Sequence, residues 1–323
     1  MRNSHTTVLS RRRFIAIAAA ATLLLGAAAA RARRFEWQGS ALGAEAKIVL
    51  YHPDKAAAEA AIGACWEEIS RLEDQFSLYR PASALNRLNA AGRLDKPSHD
   101  MRRLLQLCRQ YGDLSRGAFD PSVQPLWRLY AEHFASQPHD RAGPDPDAIG
   151  VVQRHIDYRR IAIGAEDIRL DPGMALTLNG IAQGYITDRV ADLLRARGWS
   201  DVLLNLGEIR ALPGRTWSVA LPGDGPALDL TNAAVATSAG AGSPFAGPGG
   251  PHHLLHPVTG RSAGRYASVS VLARTATAAD ALSTALYLSA PERAAELLAR
   301  GGGRQAWLRD PDGGLRHLVA RTG

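Results

Sequence analysis

The chain has 323 residues, 46% of them hydrophobic and 6% aromatic, with a formal charge of +7. That hydrophobic content excludes a disordered chain and supports a core built mainly of Ala, Leu, Val and Ile. Five arginines (Arg2, Arg11, Arg12, Arg13, Arg31) and no acid precede residue 33, so removing that segment from +7 leaves +2; the basic excess gives no reason to expect a nucleic-acid partner.

Residues 1–32 read as an export signal. Ser10-Arg11-Arg12-Arg13-Phe14-Ile15 has twin-arginine form, an Ala-rich apolar stretch follows, and Ala30-Arg31-Ala32 fits a small-x-small cleavage site. The apolar run from Phe14 to Ala30 is 17 residues, short for a span of about 20. A periplasmic mature chain, residues 33–323 without a stable membrane span, is expected; a retained anchor is the rival reading.

Residues 35–51 read as one entry strand. Ile62, Trp66, Ile69, Leu72 and Phe76 recur at three- and four-residue steps, which predicts a helix over 55–76. A second helix is predicted over about 98–115. Residues 137–148, rich in Pro, Gly and Asp, read as a surface loop. A helix from about Gly180 to Arg197 precedes strands at Val202–Leu206, Trp217–Leu221 and Val269–Ala273. The Gly- and Pro-rich 239–252 reads as a loop. Helices over Thr277–Leu288 and Pro291–Arg300 and a strand over Gln305–Leu308 close the chain. This order predicts an α+β domain with helices on mixed or antiparallel sheet. Cys65 and Cys108 fall at apolar helix positions, as two buried thiols or as a disulfide pair.

Four segments offer chemistry, each with a plain structural alternative. Ser77-Leu78-Tyr79-Arg80 could stack on a ring system or simply cap the preceding helix. Gly117-Ala118-Phe119-Asp120-Pro121 could wall a planar ligand or form a rigid turn. Thr177-Leu178-Asn179-Gly180-Ile181-Ala182-Gln183-Gly184-Tyr185 opens a helix, where free N–H groups and the dipole favour a diphosphate. In Ala279-Asp280-Ala281-Leu282-Ser283-Thr284, positions 280 and 284 share a helix face, and two oxygen donors there suit Mg²⁺; an Asp in an ordinary helix start is the alternative. In His252-His253-Leu254-Leu255-His256-Pro257-Val258-Thr259-Gly260, adjacent histidines cannot easily share zinc, and a single general base is the better use.

The order of these segments, with Asn205-Leu206-Gly207 and Thr237-Ser238, resembles the ApbE family from about residue 35 to 320. The resemblance implies a T-fold-like α+β architecture, FAD as donor and Mg²⁺ as required ion. It implies transfer of the FMN half of FAD to a Thr or Ser hydroxyl of an exported acceptor protein, with release of AMP. Carried over by motif, the ion falls to Asp280, Thr284 and the backbone carbonyl of Gly180, with Ser283 as an extra ligand. Flavin and adenine contacts fall to Leu42, Ser77, Tyr79, Ala118, Phe119, Asp120, Thr177, Gln183 and Leu254, and the catalytic base to His253.

Several positions depart from the family pattern. Thr177 stands for the usual Asp before Asn-Gly, Gln183 for a Lys or Glu, and Glu208 for the second Gly of Asn-Leu-Gly-Gly. Ala239 replaces the Gly of Thr-Ser-Gly, His256 replaces an Asp before proline, and Leu42-Gly43-Ala44 stands for Met-Gly-Thr. Splitting of FAD by water and a non-catalytic flavin-binding protein on the same scaffold are the competing readings.

Overall fold

The structure, a computed structural model, describes residues 32–140, 142–247 and 249–320. The expected export signal therefore lies, but for Ala32, outside the described residues.

The expected single strand over 35–51 is a hairpin. β1 (Arg33–Ala41) and β2 (Ala44–His52) pair antiparallel, joined by Leu42 and Gly43, both at positive φ. α1 (Lys55–Phe76) starts on Asp54, whose carboxylate accepts from the N–H groups of Ala56 and Ala57. It buries Ile62, Cys65, Ile69, Leu72 and Phe76; Trp66 sits at the margin against Trp37, ring centroids 5.7 Å apart.

The middle of the chain is largely helical. α2 (Ala84–Ala91) is capped by Ser83, and β3 (Arg93–Asp95) follows. α3 (His99–Ser115) turns its Met101, Leu104, Leu105 and Cys108 inward. α4 (Gln124–Ser136) comes next, and then α5 (Pro146–Gln153), which corrects the end of the expected loop over 137–148. The α5 start carries its own signals, an Asp145 cap and Pro146 in the first turn. β4 (Ala162–Ile163) and β5 (Asp167–Arg169) join β3 in a small sheet.

The second half contains α6 (Ala182–Ala196), β6 (Val202–Asn205), β7 (Ile209–Ala211), β8 (Trp217–Ala220), β9 (Ala227–Leu230) and β10 (Ala233–Ala239). It ends with β11 (Ser268–Ala273), α7 (Ala276–Leu288), α8 (Ala294–Arg300), β12 (Gly303–Arg309) and β13 (Leu315–Val319). β8 and β9 pair apart as a two-stranded ribbon. The main sheet has eight strands in the order β1-β2-β6-β7-β10-β11-β12-β13. Its pairings are antiparallel, in keeping with the α+β reading.

α7 lies against β10, β11 and α6. Its small residues Ala276, Ala279, Ala281 and Ala285 allow close approach, so nearly every position from 276 to 288 is buried, Asp280 included. Cys65 and Cys108 are separate buried thiols. Burial pushes the Cys65 thiol up to about 12 and Cys108 in the same direction, which leaves both poorly reactive. Among the described residues no helix is long and apolar enough to cross a membrane.

Candidate functional site

A cleft of about 490 Å³ opens where the α6 start, α7, the β6–β7 turn and the 237–257 segment meet. Every candidate residue except Ser77 and Ser283 lines it.

The floor is set by α6 and α7. Asp280 Oδ2 accepts from the Gly184 N–H at 2.9 Å. Gly184 is required there, since a Cβ would lie 2.4 Å from the Ala276 carbonyl oxygen and 2.8 Å from the Asp280 Cβ. The α7 start is held by Asp188, whose carboxylate accepts from the N–H groups of Ala276 and Thr277 at 2.9 and 2.8 Å. Arg210, buried in β7, lies 3.7 Å from Asp188 and donates to the Arg274 carbonyl.

The α6 end offers less to an anion than its sequence suggests. The Ile181 and Ala182 N–H groups both donate to the Leu178 carbonyl, at 3.1 and 2.8 Å, and Gly184 donates to Asp280. The expected row of free donors is thus partly occupied within the protein.

Among the described residues, buried Asp280 has no cationic partner. Burial first, then the nearby Asp188 charge, pushes its carboxyl up to about 7 against the Gly184 hydrogen bond. Glu208 lies in the same cleft, 7% exposed. Burial and the Asp280 charge hold it well above the usual carboxylate range, opposed by the Thr237 N–H. Beside them Thr284 shares a hydrogen bond with Ser238 at 3.2 Å, and a Cβ on Gly180 would lie 3.1 Å from the Thr284 hydroxyl oxygen. The donors gathered here are oxygens. Among the described residues no group of three His, Cys, Asp or Glu is placed to hold a metal, which argues against zinc.

Two of the expected residues stand outside the cleft lining. The Ser283 hydroxyl donates to the Asp280 carbonyl at 2.9 Å and bonds Ser238 at 2.7 Å, so it is engaged within the protein. Ser77 ends α1, and its oxygen accepts from the Tyr79 N–H at 3.1 Å; the plain capping reading holds for this residue. It still shapes the site, because the turn it makes projects Tyr79. Asn86 clamps that turn by donating to the carbonyls of Ser77, Leu78 and Arg80 at 3.3, 3.0 and 2.8 Å. Arg80 pairs with Glu73, which in turn accepts from the Leu42 N–H at 2.8 Å.

Tyr79 is 70% exposed at the mouth, its ring 3.3 Å from where a Gly43 Cβ would sit. Phe119 is buried in the wall beside Ala118. Asp120 reaches the cleft, but its oxygens already accept from the Ser122 N–H and hydroxyl at 2.8 and 2.6 Å and from the Tyr158 N–H at 3.1 Å. It is the brace of a rigid turn. Thr177 binds back to the Pro121 carbonyl at 2.8 Å and accepts from the Asn179 N–H at 3.3 Å. The Gln183 amide lies over Gly207, and Leu254 packs beside His253.

The His253 ring donates from Nδ1 to the Ser243 carbonyl at 3.2 Å, a tautomer that places the basic lone pair on Nε2. Burial, outweighing the Ser243 bond and joined by His252, lowers its pKa, so the ring is neutral near pH 7. His252 is structural, bonded to the Ala263 carbonyl at 2.9 Å. His256 holds the turn after it: its Nδ1 accepts from the Val258 and Thr259 N–H groups at 3.2 and 3.3 Å. Trp127 of α4 and Ser243 also line the cleft; neither belongs to a segment singled out by sequence.

The family model described as the ApbE family matches residues 42–308. An FAD:protein FMN transferase of Treponema pallidum is 30% identical, over 89% of this chain and 87% of its own. One from Escherichia coli K12 is 27% identical, over 71% of each. The apo crystal structure of the Pseudomonas stutzeri flavinyl transferase ApbE superposes with a TM-score of 0.76 at 25% identity, covering 89% of this chain and 96% of that one. The ApbE protein of Thermotoga maritima shares the fold with a TM-score of 0.79 at 24% identity, over 88% and 97%.

Proposed function

The chain belongs to the ApbE family, and we propose that it is an FAD:protein FMN transferase, exported to the periplasm, that moves FMN from FAD to a Thr or Ser hydroxyl of an acceptor protein. The observation that carries this is the meeting in one cleft of a neutral, oriented imidazole, an exposed aromatic and a buried carboxylate that, among the described residues, has no cationic partner.

The residues fit Mg²⁺. A buried carboxylate with no cation is costly, and Asp280, Thr284 and the Gly180 carbonyl are hard oxygen donors. These three would hold the ion, which when bound supplies positive charge to the diphosphate oxygens. Tyr79 and Phe119 flank the space for the flavin and adenine rings, with Leu42, Ala118 and Leu254 as apolar walls. His253 Nε2 takes the proton of the acceptor hydroxyl. That oxygen bonds to the FMN phosphorus, the phosphoanhydride bond to AMP breaks, and AMP leaves with the bridging oxygen. An oriented base of this kind is worth about 10²–10⁴-fold.

The test is mass spectrometry of a peptide bearing an acceptor Thr after incubation with protein, FAD and Mg²⁺. The peptide gains one FMN unit if the proposal holds; an unchanged mass while FAD is consumed assigns the splitting to water.

A further inference from the structure

The β6–β7 turn brings an acid to the cleft floor that the family motif does not supply. Leu206 donates its N–H to the Glu208 carbonyl at 3.1 Å across Gly207, which holds φ +99°. A Cβ at 207 would lie 2.5 Å from the Gln183 amide nitrogen, so the glycine lets the turn press onto the α6 start. Glu208, the next residue, thereby lines the cleft with Asp280 and accepts from the Thr237 N–H. It is 7% exposed, and among the described residues the Thr237 N–H is what opposes its burial beside Asp280.

Two buried carboxylates with no cation between them are mutually destabilising. Other buried acids here are satisfied by the protein: Asp188 caps α7 beside Arg210, and Asp120 has its three donors. Glu208 and Asp280 lack that provision. We propose that Glu208 is a second anionic group of the Mg²⁺ site, acting with Asp280 to raise its affinity for the ion. This rests on the reading of the cleft as a cation site.

The experiment uses the full chain without flavin. Mn²⁺ binding is followed by loss of the free-ion electron paramagnetic resonance signal, and the melting temperature is read with and without Mg²⁺. Wild type, Glu208→Gln and Asp280→Asn are compared. The expected result is an affinity about 10–100-fold weaker for Glu208→Gln, with a smaller Mg²⁺-induced rise in melting temperature. The ion-free melting temperature should equal or exceed that of wild type, because the repulsion is gone. A merely structural role would instead lower the ion-free value and leave the Mn²⁺ affinity of the folded fraction unchanged, which overturns the inference. Glu208→Gln binding Mn²⁺ like wild type while Asp280→Asn does not also overturns it, and leaves the cation site standing. No binding by wild type removes both.

Discussion

Asp188 of α6 accepts both the N–H and the hydroxyl of Thr277, at 2.8 and 2.6 Å, across 89 residues of chain. The helix that carries Asp280 and Thr284 therefore starts on a side chain from its neighbour. Asp188→Ala removes that cap and the partner of buried Arg210. It should destabilise the fold by at least about 1–2 kcal/mol in urea unfolding. Thr277→Val should cost less, because the two backbone donors keep their acceptor.

Gly184→Ala places a methyl against the backbone of Ala276 and the Asp280 side chain. Neither is a flexible tip, so α6 and α7 must part. A loss of about 1–3 kcal/mol is expected, together with a weaker Mg²⁺-induced rise in melting temperature. Gly63→Ala is the control: a Cβ there meets nothing within 4 Å inside α1, so it should stabilise by about 0.5–1 kcal/mol.

His253→Ala should slow transfer by about 10²–10⁴-fold while FAD affinity, read by flavin fluorescence, changes little. In the wild type, burial lowers the His253 pKa below 6.5, so the base is already neutral at pH 7. Activity attributable to it should be level above neutrality and fall as pH drops through the acidic range. A His253→Ala profile with the same acid limb would assign that limb elsewhere.

Asp280 gives a pH signature in the absence of metal. Its folded pKa of about 7 stands above the ordinary 3.8, so the folded chain binds the extra proton between those values. The sign follows from linkage: stability falls as pH rises through that window. Asp280→Asn should flatten the fall, measured by urea unfolding with a chelator present. Mg²⁺ should stabilise more strongly above pH 7, where the carboxylate is ionised and available.

Much of this was legible in the sequence where a local pattern carries it. α1, α3 and α7 announce themselves by apolar residues at helical spacing, and the caps Asp54, Ser98 and Thr275 fix their starts. The β1–β2 hairpin was not legible, because its Leu42-Gly43 turn lacks a usual turn pair and the strand character runs through it. β7 and β10 are short or alanine-rich and form only against neighbours distant in sequence. The site divides the same way. The motifs pointed to Asp280, Thr284 and His253. That Ser283 and Asp120 are engaged within the protein depends on contacts no spacing rule encodes. Glu208 read as a lost glycine until the turn placed it beside Asp280.

The most direct measurement counts AMP and flavinylated peptide together, in reactions with FAD and Mg²⁺, with and without acceptor peptide. The account predicts AMP only when peptide is present, in equal amount to the modified peptide, and loss of both by orders of magnitude in a folded Asp280→Ala protein. AMP formed equally without peptide, or FAD bound under all conditions with no AMP, would contradict it.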